Sequence, residues 1–145
     1  MSQIQQIIEA EKIIKTFPQA EIETRHYFAG GVYEREIIVP AGMVITGKIH
    51  LTEHLAKLVK GTMSLIGSEG SGTFTGPVTF KSSPGAKRIG YAHDDVVFST
   101  FHAVGGCTDL VEIEAALVVN TPEEYEQRIG LIGRSSEQLH IEGGL

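Results

Sequence analysis

The chain has 145 residues, 41% of them hydrophobic and 21% charged, with a net charge of −6, 17 glycines, one cysteine and no tryptophan. That length suits one domain, 1–145, with its own core, and the acidic balance without a basic stripe argues against a nucleic-acid partner. No apolar run approaches the roughly 20 residues that span a bilayer, the N-terminus lacks the basic start of a secretory signal, and Cys107 has no internal disulfide partner, which is compatible with the cytosol.

In chain order, Ile4, Ile7, Ile8 and Ile14 fall near helical spacing behind the cap residue Ser2, and Pro18 sets a stop. Segment 1–17 is therefore expected to hold an amphipathic helix, its apolar face on the domain or on a partner subunit. Segment 21–119 reads as β structure. Strands are expected at 21–28, 32–39, 43–50, 55–59, 63–66, 74–80, 88–92 and 96–102, separated by turns such as Ala29-Gly30-Gly31, Pro40-Ala41-Gly42 and Lys60-Gly61. The glycine-rich 67–72, GSEGSG, is expected to be a flexible hairpin tip; it lacks the Lys-Ser/Thr ending of a phosphate-binding loop. Gly76-Pro77 marks a bend or an edge. Short strands at this spacing point to a sandwich or barrel. Segment 110–119 fits a strand through Val111, Ile113, Ala115 and Leu117, or a helix behind Asp109 and Glu112. In 120–145, Thr121-Pro122-Glu123-Glu124 is a capping box that opens a short helix to Arg128, stopped by Gly130. The polar tail 135–145 is either loose or held at an oligomer contact.

The stretch 42–61, GMVITGKIHLTEHLAKLVKG, carries a further pattern. After Gly42 and five residues comes Lys48, then His50, then His54 after three residues, and Gly61 after six more. This resembles the first motif of the cupin superfamily, with Lys48 in the place of the first histidine and His54 in that of the glutamate. Ser83-Pro84-Gly85 resembles the turn of the second motif, whose histidine and asparagine places fall near Ile89 and His93. The resemblance covers roughly 33–102. Val32-Tyr33-Glu34-Arg35-Glu36, Gly47-Lys48-Ile49-His50, Thr52-Glu53-His54 and Pro84-Gly85-Ala86-Lys87-Arg88 also resemble small single-domain cupin-like proteins of tailed bacteriophages. The resemblance implies an all-β fold: a single cupin-type antiparallel β-barrel (jelly roll) with an N-terminal helix and a short C-terminal helix. It further implies a homo-oligomer, a dimer favoured, and a place in the cytoplasm, that of the host if the gene is a phage's, with virion association left open.

A cupin barrel gathers its site inside one end. His50, Thr52 and His54 share a strand parity, as do Phe98, Thr100 and His102, although a turn between His50 and His54 breaks simple counting. If His50, His54 and His102 all face inward, their imidazoles can hold a divalent metal ion and leave a position for water or substrate. Imidazole suits Zn, Cu, Fe and Ni alike. The alternative is hydrogen-bonded core or rim histidines. Lys48, Arg88 and Tyr91 are the candidate ligand-binding residues. Lys48 either holds an anion or repels a metal. Arg88, with Lys87, offers donors to a carboxylate or phosphate, or lies as solvated charge. Tyr91, with Tyr33 and Phe101, lines a pocket or packs in the core. Glu53 is a carboxylate ligand or acid/base neighbour of the site, or lies in solvent because adjacent strand residues point opposite ways. Cys107 has no activating partner, His26 and His140 have no assigned role, and no nucleophile elbow is present. Two functions remain: a small binding or assembly protein holding an ion or small molecule, and a metal-dependent enzyme acting on a small anionic substrate.

Overall fold

The structure is a computed structural model that describes residues 2–67 and 70–130. The chain opens with α1 (Gln3–Ile14), started by a capping box in which Ser2 accepts the Gln5 N–H and the Gln5 side chain returns to the Ser2 N–H. Its apolar face lies on the chain's own barrel. Ile7 is buried, and Glu11 pairs with the buried Lys87 at 3.2 Å.

Strands follow as β1 (Glu23–Ala29), β2 (Val32–Val39), β3 (Val44–Thr46), β4 (Ile49–His50), β5 (His54–Lys60), β6 (Thr62–Gly67), β7 (Gly70–Thr75), β8 (Val78–Ser82), β9 (Arg88–Ala92) and β10 (Val96–Ala103). After them come α2 (Leu110–Leu117), β11 (Val118–Val119) and a helix over 122–130, α3. One sheet runs β1-β2-β10-β5-β8 and another β3-β9-β6-β7, with β4 and β11 paired at one end. All pairs are antiparallel, and the expected all-β jelly-roll barrel is what the chain forms.

Alternation drives this arrangement. Ile37 and Val39 on β2, Ala56 and Leu58 on β5, and Val96 and Phe98 on β10 meet Met63, Leu65 and Ala92 of the facing sheet in one core. Burying such an aliphatic or aromatic side chain is worth roughly 1.5–3 kcal/mol. Exposed ion pairs are worth at most about 1 kcal/mol, so this layer holds the sheets together. A second cluster, Tyr33 with Ile113 and Leu117, seats α2 against one end of the barrel.

Several sequence expectations are corrected. The strand expected over 43–50 breaks at Gly47-Lys48 into β3 and β4, which lie in different sheets. There the Gly47 N–H donates to the Arg88 carbonyl at 3.0 Å and the Gly47 carbonyl accepts from Lys87 Nζ at 2.7 Å. The strand expected over 74–80 divides between the two sheets at Gly76-Pro77. A side chain at Gly76 would meet the β5 backbone at 2.9 Å, so the chain crosses there at glycine. Of the hairpin tip expected over 67–72, Gly67 ends β6 and 70–72 belong to β7, with Ser71 and Gly72 opposite Ile66 and Leu65; residues 68 and 69 lie outside the described residues. Segment 110–119, left open between strand and helix, is helix over 110–117, where Asp109 accepts the N–H groups of Val111 and Glu112, and strand β11 over 118–119. In α3, Thr121 accepts the Glu124 N–H, and the helix continues through residue 130 instead of ending at Arg128. The tail 135–145 and His140 lie outside the described residues.

Candidate metal centre

The centre grows out of the strand register. β10 pairs with β5 so that Thr100 faces Ala56 and Phe101 faces Leu55. One step further, His102 meets His54, with ring centroids 4.6 Å apart. His50 arrives from β4 and is held by its backbone. Its N–H donates to the Ala86 carbonyl at 2.9 Å and its carbonyl accepts the Gly85 N–H at 2.7 Å. The Ser83-Pro84-Gly85 turn therefore acts as a backbone clamp on this histidine. The His50 ring lies 4.2 Å from that of His54 and 5.7 Å from that of His102. One nitrogen from each of the three rings falls within 4.8 Å of the others.

Burial keeps two of the three rings, His50 and His102, neutral. Burial pushes His50 down to about 3, helped by the charges of His54, His102, Arg88 and Arg35. His102 falls to about 4, again chiefly through burial, then through His54 and Arg35. Neutral imidazoles carry the lone pairs a metal needs. His54 Nδ1 lies 3.0 Å from the Thr52 carbonyl, which can only accept, so the proton sits on Nδ1 and the lone pair on Nε2. His102 Nε2 lies 3.0 Å from Thr100 Oγ1. The Nδ1 atoms of His50 and His102 are buried without a hydrogen-bond partner among the described residues, an arrangement that costs about 1–3 kcal/mol per group. Coordination would satisfy both nitrogens, and the Thr52 and Thr100 oxygens are the outer partners that orient metal-binding imidazoles. The residues fit a divalent ion.

Two chambers meet at this point. An outer cavity of about 500 Å³ is lined by His26, Tyr33, Arg35, His102 and Ile113 among others. An inner chamber of about 160 Å³ is lined chiefly by Ile37, Ile45, Met63, Leu65 and Phe98, with Arg88. Arg35, Lys48, His50 and Thr100 line both and form the waist between them. α2 covers the outer mouth, where Lys48 forms an ion pair with Glu114.

His50, His54 and His102 are thus brought together. Lys48 reaches the waist, and Arg88 points into the inner chamber from the inward parity of β9. Tyr91 has the opposite parity: it is 42% exposed, edge-on to His93, and lines neither chamber. Ile89, at the place of a fourth metal ligand, shares that outward parity. Lys87 is no anion binder; its ammonium is spent on Glu11 and the Gly47 carbonyl. Glu53 is exposed and pairs with Lys81 at 3.6 Å. Cys107 Sγ lies 3.5 Å from a Glu112 carboxylate oxygen, which gives no activation. Phe101 faces away from the site, whereas Tyr33 both packs in the second cluster and lines the outer cavity.

Sequence reasoning missed Arg35 and the pair of His26 Nδ1 with Tyr33 Oη at 2.6 Å. The signal for Arg35 was available: it shares parity with Tyr33, Ile37 and Val39 on β2.

No protein-family model matches the sequence, and no curated protein sequence matches it. Solved structures do match in fold. A cupin superfamily protein from Desulfitobacterium hafniense superposes with a TM-score of 0.50 over 61% of this chain and 82% of its own, at 4% identity. A conserved protein with a double-stranded β-helix domain from Klebsiella pneumoniae gives 0.51 over 63% and 85%, at 12% identity. A Photorhabdus luminescens protein gives 0.50 over 57% and 75%, at 11% identity. The chain has the cupin-type double-stranded β-helix fold, and its inward histidines make a potential metal centre. No helix among the described residues is long and apolar enough to cross a membrane.

Proposed function

We propose that this protein binds a divalent metal ion on His50, His54 and His102 and a small anion beside it. The observation that carries the reading is the convergence of three imidazoles, with two buried ring nitrogens that have no hydrogen-bond partner among the described residues. When bound, the ion would supply Lewis-acid polarisation of a ligand oxygen. The chain's own residues supply the rest. Arg35 and Lys48 put positive charge at the waist and Arg88 puts it in the inner chamber, while Tyr33 Oη and His26 form a hydrogen-bonded pair at the outer cavity. α2 limits water access from the mouth.

The test is metal content. Purified protein stripped with a chelator and reloaded with Zn(II) should retain about one ion per chain, the stoichiometry of a three-histidine site, and His50→Ala should abolish retention. Full occupancy in His50→Ala would refute the assignment.

A second reading, a metal-dependent enzyme acting on a small anionic substrate, is favoured by the coordination position that three protein ligands leave open. Turnover of small carboxylates by the reloaded protein, lost in His102→Ala, would distinguish it from a binding module. We also propose a homodimer, supported by the exposed apolar residues Tyr27, Leu55 and Val32 on the outer face of the five-stranded sheet; light scattering of the purified chain tests it. A tailed-phage origin rests on the motif resemblance alone and a cytoplasmic location on the single cysteine, and the neighbouring genes would test the first.

A further inference from the structure

Two cations stand at the junction of the chambers: Lys48, paired with Glu114, and Arg35, an exposed residue that lines both cavities. Arg35 lies on β2 opposite His26 of β1 and Thr100 of β10. Among the described residues no carboxylate lies within ion-pair distance of its guanidinium. Its charge bears instead on two neutral imidazoles, His50 and His102. A guanidinium at a cavity waist presents a planar fork of donors matched to a carboxylate. Beyond it, Ile37, Ile45, Met63, Leu65 and Phe98 give the inner chamber an apolar wall, with Arg88 on its other side. An apolar cavity of about 150 Å³ takes a benzene ring, so a chamber of about 160 Å³ takes a tail of similar size.

We infer that the ligand is a monocarboxylate with a short apolar tail, and that Arg35 determines this specificity. The head sits at the waist, between the metal centre and the Arg35 guanidinium. The tail, about four to six carbons by the volume comparison, fills the inner chamber. A bare inorganic anion would leave the chamber empty, and a longer chain would overrun it. The inference rests on the reading of His50, His54 and His102 as a metal centre.

Calorimetric titration of the full chain, loaded with Zn(II), with acetate, butyrate, hexanoate, decanoate and uncharged hexanamide tests the inference. Zinc content is measured in every sample. Affinity should rise from acetate to hexanoate and fall at decanoate, and hexanamide should bind at least about tenfold more weakly, the scale of one charge-assisted contact. Arg35→Gln should lose at least about tenfold for hexanoate with zinc content unchanged, and Arg35→Lys should recover only part of it, because an ammonium lacks the fork. Ile45→Phe, which narrows the chamber without touching the cation, should weaken hexanoate and spare acetate. Zinc-loaded protein that binds every chain length alike, or Arg35→Gln protein that binds hexanoate as wild type does, overturns the inference and leaves the metal centre standing. Wild-type protein that cannot hold zinc overturns both.

Discussion

His54 and His102 face each other across the β5–β10 pairing, ring centroids 4.6 Å apart, one register step beyond Leu55 and Phe101. Two strands far apart in sequence thus deliver two imidazoles to one point by backbone pairing alone. The third, His50, needs a separate device: the Gly85 and Ala86 backbone groups that grip β4.

The cluster makes the metal-free protein acid-sensitive. In the unfolded chain His50 and His102 titrate near 6.5, while in the fold they are pushed down to about 3 and about 4. Between those values the unfolded chain holds more protons than the native one, so stability is full above about pH 6.5 and falls as the pH drops toward 4 and below. Urea unfolding in the presence of a chelator should give a lower midpoint at about pH 5 than at about pH 7, and His50→Gln should reduce that difference. An unchanged midpoint would show that the rings protonate freely in the native state.

Glu11 anchors α1 to the metal-binding end. Burial raises its carboxyl, but hydrogen bonds from Thr46 and Lys87 and the charge of Lys87 together hold it below the usual value. Removing it strands the Lys87 ammonium, 2% exposed. Glu11→Ala should therefore destabilise by about 3 kcal/mol, the lower end for broken buried pairs, because Glu11 itself keeps some contact with water. It should also weaken zinc binding, since Lys87 holds the Gly47 carbonyl just before Lys48 and His50. The double change Glu11→Leu, Lys87→Met should recover most of the stability. Chemical denaturation of the three proteins checks this, and a Glu11→Ala midpoint equal to wild type would mean α1 is not held by this pair.

The Lys48–Glu114 pair behaves differently because both side chains are about half exposed. Glu114→Gln should change stability by less than about 1 kcal/mol. Because it removes a negative charge from the cavity mouth, hexanoate affinity should rise. Thermal denaturation and calorimetry read the two effects separately; a large loss of stability would place the pair among the structural contacts.

Gly61 closes the β5–β6 turn with φ +92°, and an added Cβ would clash with the Asp95 carbonyl and stand 2.8 Å from Asp94 Oδ1. Asp94 Oδ1 in turn accepts the Thr62 N–H. Gly61→Ala should cost more than about 1 kcal/mol, because backbone strain and a clash add, while the distant histidines keep their zinc. A calorimetric Tm within a degree of wild type would contradict this.

Much of this was legible in the residues. Alternation on β2, β5 and β10 set the inward faces, and the spacing of 42–61 singled out His50 and His54 as partners of His102. What local pattern could not carry were the places where the chain leaves one sheet for the other. Gly47-Lys48 sits inside a stretch that alternates like a continuous strand, and only the backbone crossing shows the break; Gly76-Pro77 is legible as a bend, but not as a change of sheet. Lys87 looked like a solvated cation because its partner Glu11 lies on α1, far away in sequence. Tyr91 looked like a pocket residue until the β9 register turned it outward. Segment 110–117 satisfied both periodicities, and the Asp109 cap decided for helix.

The central claim is that three histidine nitrogens share one ion. X-ray absorption at the zinc edge of the reloaded protein addresses it directly. The wild type should show three imidazole nitrogens at about 2.0–2.1 Å with one oxygen ligand completing the shell, and His102→Ala should lose one imidazole. An all-oxygen shell, or the same imidazole count in His102→Ala, would contradict the centre described above.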